Sequence, residues 1–514
     1  MHHVFKICHN NLFLVQGLEL HNVMGHELMA IHSNKSLQHA ISICRANWRT
    51  SRDVSLRQGP WKQPLASLFQ DAPDLYQFPI PDVDVFPDQY YWDSVAAAMG
   101  YLASGEPDLQ RRAVETALSL CYLVKKCGLV PNASNSACAT RPQPPLLPYL
   151  ALRVLENPSV FIDADERKAF AYAVRNACKI ELSSWKRHMQ GGFYRWYDNV
   201  PVGSEPEELF NLFRPESRSD GRVIEGILAS EGLTLSGDVS FARLRESLLM
   251  VLTRWPVSLR GELANWLHSR RVLCATGQDF SACYGEKQLN TALLEKIGTK
   301  CRPEDMIASA ILEVVPIDLN ALMVRYLRDS ATIAAITGDH PAAEDLLDES
   351  RSLERRTADF FWAAGVLKHR YEDQSPANAF SHLSEVLYPL WSGLVSVQST
   401  ISEATCHAMS DLITDYGIAM SHYCSGFQWD YNMWPLQVML SIEALDQVGR
   451  RQDALRIAHG YLKTLDRCYE LHGSFFEKYN PHDGSTNTIG RYPAAADFTW
   501  GAASYLWVGA FVER

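Results

Sequence analysis

The residues best equipped for chemistry sit in a few polar, aromatic stretches. The first is Asp-Gln-Tyr-Tyr-Trp-Asp-Ser at 88–94, where three rings run into a carboxylate just ahead of an apolar helical run. Two readings fit it. Locally it is a helix start, with Asp93 or Ser94 as the cap and the rings as core. Alternatively it is a sugar site, in which Trp92 stacks on a pyranose and Asp93 holds its hydroxyls. Similar company is found in Pro-Asn at 131–132 with Arg-Pro-Gln-Pro-Pro at 141–145, Phe-Arg-Pro-Glu-Ser at 213–217, Gln-Trp-Asp-Tyr-Asn-Met-Trp-Pro at 428–435, and Phe-Phe-Glu-Lys-Tyr-Asn at 475–480. A sugar offers only hydroxyls and CH faces, so its pocket needs bidentate partners such as Arg and Asp together with rings to stack. Taken singly, each Trp or Arg here fits core packing or a surface ion pair equally well. Asn132 also opens an Asn-Ala-Ser glycosylation sequon; a glycan there would block the pocket, so the sequon is read as accidental.

The elements that must position these stretches are almost all helical by periodicity. Residues 95–102 and 108–128 read as one pair, the second ending at Gly128. A helix opens at Asp163 or Asp165, either of which suits an N-cap. Residues 316–339 and 340–365 form a pair broken at Gly338, and 434–449 and 450–473 another broken at Gly449. Residues 498–514 supply the last helix. The recurring pattern is helix, tight turn, helix, then a longer loop rich in Trp, Pro, Asp and Asn. Hairpins that gather such loops at one end close into an α/α toroid around a funnel, an all-α fold. A helical-repeat solenoid is the competing architecture, but these loops are too individual for a fixed repeat. Two regions resist the pattern. Residues 1–55 read as a poorly anchored N-terminal segment, ahead of one catalytic domain over 56–514. Within that domain, about 241–300 is an irregular, partly basic insertion, read as a lid, an excursion or a mistranslated stretch.

Composition narrows the partners. A formal net charge of −11, with no basic run, argues against a nucleic-acid surface. The 12 cysteines are scattered, without a Cys-x-x-Cys pair or a Cys/His cluster, which fits reduced thiols better than disulfides or zinc. No apolar run approaches the ~20 residues that span a bilayer, and the N-terminal text makes a poor signal peptide. The expectation is a cytoplasmic protein with neither membrane nor nucleic-acid partner. The string His-Glu-Leu-Met-Ala-Ile-His at 26–32 misses zinc-protease spacing by one residue and reads as an ordinary amphipathic segment.

Taken in order, seven motifs resemble the α,α-trehalase family, inverting glycosidases built on an (α/α)6 barrel, the six-hairpin glycosidase fold. They are Tyr90 to Ser94, Pro131–Asn132, Arg141 to Pro145, Arg214 to Ser217, Pro316 to Leu322, Gln428 to Gln437 and Glu477 to Asn480. The resemblance runs from about Pro81 to Arg514, apart from the stretch after Asp238. It implies sugar contacts at Phe86, Trp92, Asp93, Asn132, Arg141, Arg214, Glu216, Gln428, Trp429 and Trp434. It implies trehalose as the small-molecule partner and no metal or organic cofactor.

An inverting hydrolysis needs an acid and a base on opposite sides of the sugar, roughly 6.5–9.5 Å apart. The family's base matches Glu477. The family carries its acid in a segment reading Ser-Gly-Trp-Asp-Phe-Ser, and Leu235 to Phe241 puts Asp238 at that place. A second alignment, over Ser230 to Ser236, puts Thr234 there, which cannot act as a general acid. Val85 stands where the family has an arginine, and Arg491 where it has a glutamate. These departures keep two further readings open: a glycosidase acting on another α-glucoside, and a trehalase-like protein that binds sugar without turnover.

Overall fold

The computed structural model describes residues 34–52, 57–58, 64–214, 217–234, 240–279, 281–298, 300, 306, 308–363, 366–395, 400–490 and 492–514. Among them, helices that are apolar on all sides alternate with helices carrying one apolar stripe. The helices of the ring are numbered here α1 (Asn34–Ala46), α2 (Tyr91–Ala103), α3 (Pro107–Cys127), α4 (Leu147–Leu155), α5 (Ala164–Arg187), α6 (Ile317–Ile336), α7 (His340–Phe361), α8 (Leu383–Trp391), α9 (Thr400–Ser410), α10 (Pro435–Gln447), α11 (Arg451–His472) and α12 (Thr499–Val512).

The even-numbered helices form the inner ring. Each packs on the next, α2 on α4, α4 on α6, α6 on α8, α8 on α10, α10 on α12, and α12 closes back onto α2. Inner helices are buried nearly throughout, as Thr499 to Leu506 of α12 and Pro435 to Ile442 of α10 show. The odd-numbered helices lie outside and are amphipathic. On α3 the buried residues Leu109, Ala113, Val114, Ala117, Leu120 and Val124 recur at helical spacing, while Arg111, Glu115 and Lys125 face away from the core. Each outer helix forms a hairpin with an inner one; α1 completes the set by packing on α12, joining the two ends of the described chain. The architecture is an (α/α)6 toroid of six helical hairpins. Among the described residues, the sheets are short antiparallel pairs of two strands each.

Local signals explain the helix ends. Asp163 caps α5, its Oδ1 accepting the Glu166 N–H at 2.8 Å. The breaks at Gly338 and Gly449 adopt the left-handed φ of +82° and +78° that a tight interhelical turn needs. At the opening of α2 the expected cap is not used. Tyr90 takes the cap position without a side-chain capping bond, and Asp93 and Ser94 lie inside the first turn. Tyr91 is core, and its hydroxyl accepts the Leu146 and Leu147 N–H groups at 2.9 and 2.6 Å, satisfying the start of α4.

Between α5 and α6 the chain leaves the ring. Helices Pro206–Leu212, Arg218–Ser230, Phe241–Arg254, Val257–Ala275 and Thr291–Ile297 build a second apolar cluster of their own, with Leu209, Phe213, Ile224, Leu252, Leu263 and Ile297 at its centre. Polar and charged groups fasten this excursion to the barrel. Arg271 donates to Asp198 at 2.8 Å, and Asn132 Nδ2 donates to the Cys274 carbonyl at 3.2 Å.

Candidate active site

The first turns of α2, α10 and α12 and the loops around them enclose a cavity of about 880 Å³, large enough for a disaccharide. Trp92 and Asp93 enter from α2, Trp434 from the cap position of α10, and Phe498 and Trp500 from the start of α12. Four indoles line one side. Trp429 and Trp434 are stacked parallel at 3.7 Å, Trp92 lies 5.1 Å from Trp429, and Trp500 lies 6.0 Å from Trp434. The indole nitrogens of Trp429 and Trp434 have no hydrogen-bond partner among the described residues, leaving donors for a ligand's hydroxyls.

Phe86, Trp92, Asp93, Asn132, Arg141, Arg214, Trp429, Trp434 and Glu477 all border this cavity. Gln428 does not. It is buried one layer behind the wall, its Oε1 accepting the Lys478 ammonium at 2.7 Å. Glu216, Asp238 and Arg491 lie outside the described residues. Val85 borders the cavity at its rim, 58% exposed.

Both arginines are held by the protein itself. Asp220 accepts the Arg214 guanidinium at 3.1 Å and that of Arg270 at 3.0 Å, and these two cations hold its carboxyl well below the usual range despite burial. Arg214 also donates to the Cys274 thiol, and Arg141 to that of Cys138 at 3.1 Å. A guanidinium fixed in this way lines the cavity without reorganisation.

Glu477 is held at its backbone and through one side-chain oxygen. Its backbone N–H donates to Ala495 O at 2.9 Å, and its carbonyl accepts Trp500 Nε1 at 2.9 Å. On the side chain, Oε1 accepts the Tyr492 hydroxyl at 2.9 Å, while the buried Oε2 has no hydrogen-bond partner among the described residues. Burial pushes its pKa up; Lys478 and the Tyr492 bond pull it down, and the charge of Asp279 pushes it up again.

Asp279 is the wall residue that sequence reasoning missed. It follows the helix Val257–Ala275, and both flanks are pinned. Before it, Thr276 Oγ1 accepts the Gln278 N–H at 2.9 Å. Gly277 takes φ +73° against the Trp92 indole, where a Cβ would come within 2.6 Å of the ring, so only glycine fits. After it, the Ala282 N–H and the Ser281 hydroxyl both donate to Asp430, the former at 2.8 Å.

Asp93 shares this environment. Burial, and next the charge of Glu477, push its pKa from 3.8 to about 8. A carboxyl that holds its proton more tightly when folded makes the unfolding free energy fall as pH rises from about 4 to about 8. Full linkage over that shift amounts to about 6 kcal/mol, an upper bound on the slope. Asp93→Asn removes that slope, which urea titrations at pH 4, 6 and 8 measure.

A sequence profile described as "Trehalase" matches residues 24–198 and 298–509. The chain belongs to the trehalase family. A protein described as "Probable trehalase" from Oryza sativa subsp. japonica is 24% identical over 447 residues, covering 81% of this chain and 69% of that one. Among solved structures, neutral trehalase Nth1 from Saccharomyces cerevisiae superposes with a TM-score of 0.62 at 18% identity, over 91% of this chain and 79% of that one. A GH63 mannosylglycerate hydrolase from Thermus thermophilus, in complex with Tris, gives 0.54 at 14% identity, over 92% and 99%. The protein is therefore a trehalase-like glycoside hydrolase. The trehalase profile skips the excursion, and that stretch carries Arg214 and Asp279. Within it, Gly277, Asp279, Phe280 and Ser281 keep four letters of the family's Ser-Gly-Trp-Asp-Phe-Ser, with Gln278 in place of the tryptophan. That text was the available signal for Asp279.

Proposed function

We propose that this trehalase-family enzyme hydrolyses α,α-trehalose to two glucose molecules with inversion, Glu477 acting as the base and Asp279 as the acid. One observation carries the reading. A buried carboxylate oxygen without a hydrogen-bond partner among the described residues, Glu477 Oε2, borders the same cavity as a second carboxyl, Asp279. Water held by Glu477 Oε2 attacks the anomeric carbon as that oxygen takes its proton. Asp279 gives its proton to the glycosidic oxygen as the bond to it breaks. The bond from the Tyr492 hydroxyl occupies Oε1 and so directs the water to Oε2. The indoles that border the cavity suit the CH face of a pyranose, and the named trehalases among the relatives support trehalose as the sugar. The proposed chemistry draws on side chains and water alone.

Inversion has a distinctive product pattern. Attack at one anomeric carbon yields β-glucose from that half, while the other half leaves as α-glucose. Proton NMR within the first minutes of turnover is expected to show the two anomers in equal amounts. Two α-glucoses, or no glucose from the folded protein, would contradict the proposal.

A second reading, an α-glucoside with an acidic aglycone, is favoured by Arg218 and Arg222, which also border the cavity. Arg218 forms no ion pair among the described residues, and one structural relative is named a mannosylglycerate hydrolase. Rates on neutral and acidic α-glucosides, measured side by side, separate the two. A cytoplasmic location belongs to the same proposal. Its support is that the described cysteines form no disulfide; no helix among the described residues is long and apolar enough to cross a membrane.

A further inference from the structure

Lys478 is a fully buried ammonium directly after the proposed base. Burying such a charge is costly unless something nearby compensates it. Its Nζ donates to Gln428 Oε1 at 2.7 Å, stands 3.9 Å from the centroid of the Tyr492 ring and 5.3 Å from that of Trp434. Nζ lies 3.7 Å from Glu477 Oε2, beyond hydrogen-bond length. Tyr492 closes the circuit, donating to Glu477 Oε1 and lying against the Gln428 side chain. The ammonium therefore acts on Oε2 through charge and leaves its lone pairs uncommitted. A hydrogen bond from Nζ, closer than this 3.7 Å ion pair, would occupy the lone pair that has to accept the proton from water.

We propose that Lys478, held back by Gln428, is a positioning residue that keeps Glu477 ionised with Oε2 open, and so sets the lower pH limit of turnover. The inference rests on reading Glu477 as the base. It also accounts for Gln428, which is conspicuous in the sequence yet absent from the cavity wall.

The groups facing Glu477 are Lys478 from its own segment, the Tyr492 hydroxyl, Asp93 from α2 and Asp279 from the loop after the helix Val257–Ala275. Lys478 is faced by Glu477 and Asp279, which oppose the downward effect of burial on its own pKa. Lys478 is the largest of the influences that pull the Glu477 carboxyl down, so removing its charge lets burial and Asp279 push that carboxyl up. Turnover needs Glu477 ionised and grows as pH rises through its pKa. The acid limb must therefore move to higher pH.

The test is kcat/KM against pH from 4 to 9 on the best-turned-over α-glucoside, for wild type, Lys478→Met, Lys478→Gln and Lys478→Arg, with thermal melting as the fold control. Lys478→Met is expected to move the acid limb up by about one pH unit or more, a loss of about tenfold at pH 5 that narrows at the plateau. Lys478→Gln gives the same displacement, should the Met variant fold poorly, and Lys478→Arg restores the limb. An unmoved acid limb in the neutral variants, or an equal loss at every pH, overturns the proposal. Glu477→Gln, run in parallel, separates the two ideas. If that variant keeps wild-type rates, the base assignment itself falls.

Discussion

Asp279→Asn is expected to lower kcat on trehalose by about 10³-fold or more, with the melting temperature within a few degrees of wild type. A sugar alkoxide is a poor leaving group, and amide nitrogen cannot give it a proton in time; general acid catalysis of this kind contributes about 10²–10⁴-fold. Asn fits the same space, and the bonds that pin this loop come from Thr276, Ser281 and Ala282 rather than from the Asp279 side chain. The choice of substrate turns this into a test of role. Fluoride leaves without protonation, so α-glucosyl fluoride is expected to be hydrolysed by Asp279→Asn within about tenfold of wild type, the acid contribution being absent for that leaving group. Asp238→Asn serves as the comparison and is expected to leave both rates unchanged. Loss of trehalose turnover in Asp238→Asn, with Asp279→Asn active, would reverse the assignment.

Glu477→Gln is expected to remove about 10³-fold or more on both substrates, fluoride included, because attack by water is needed whatever the leaving group. Glutamine accepts the Tyr492 hydroxyl at Oε1 as glutamate does, so the local bond survives while the basic oxygen is gone. A variant that loses trehalose but keeps the fluoride would mean that Glu477 is the acid. One that keeps both would place the base elsewhere. The two substitutions and the two substrates together give each carboxyl a separate signature.

The proposed base was legible because its short motif kept the family's text. Phe476 N–H donates to the Tyr479 hydroxyl at 2.7 Å, and Tyr479 exchanges backbone bonds with Met433 at 2.8 and 3.0 Å. One bond within the motif shapes the turn that carries Glu477, while Met433, Ala495 and Trp500 hold it from other segments. Asp279 is likewise held from other segments. Its flanks are held by Asp430, 148 residues from Ala282 in the chain, and by the Trp92 ring against Gly277. The text around Asp279 keeps the family's glycine, aspartate, phenylalanine and serine in register, whereas Leu-Ser-Gly-Asp-Val-Ser-Phe around Asp238 matches only with a gap. Gln428 shows the converse. Its place in a strong motif marked it for the sugar, yet contact with Lys478 fixes it behind the wall.

The sequence by itself determined three of the helical hairpins (α2 with α3, α6 with α7, α10 with α11), the helices α5 and α12 and the polar loops, since periodicity, caps and glycine breaks act over a few residues. It also determined the family and the motif of Glu477. Tertiary structure alone decided that α1 closes the ring on α12, and that the excursion between α5 and α6 delivers Asp279 to the cavity. It also decided that a buried ammonium stands 3.7 Å from Glu477 Oε2. Those outcomes depend on packing and charge between residues that are mostly tens to hundreds of positions apart, and no local pattern encodes such distances.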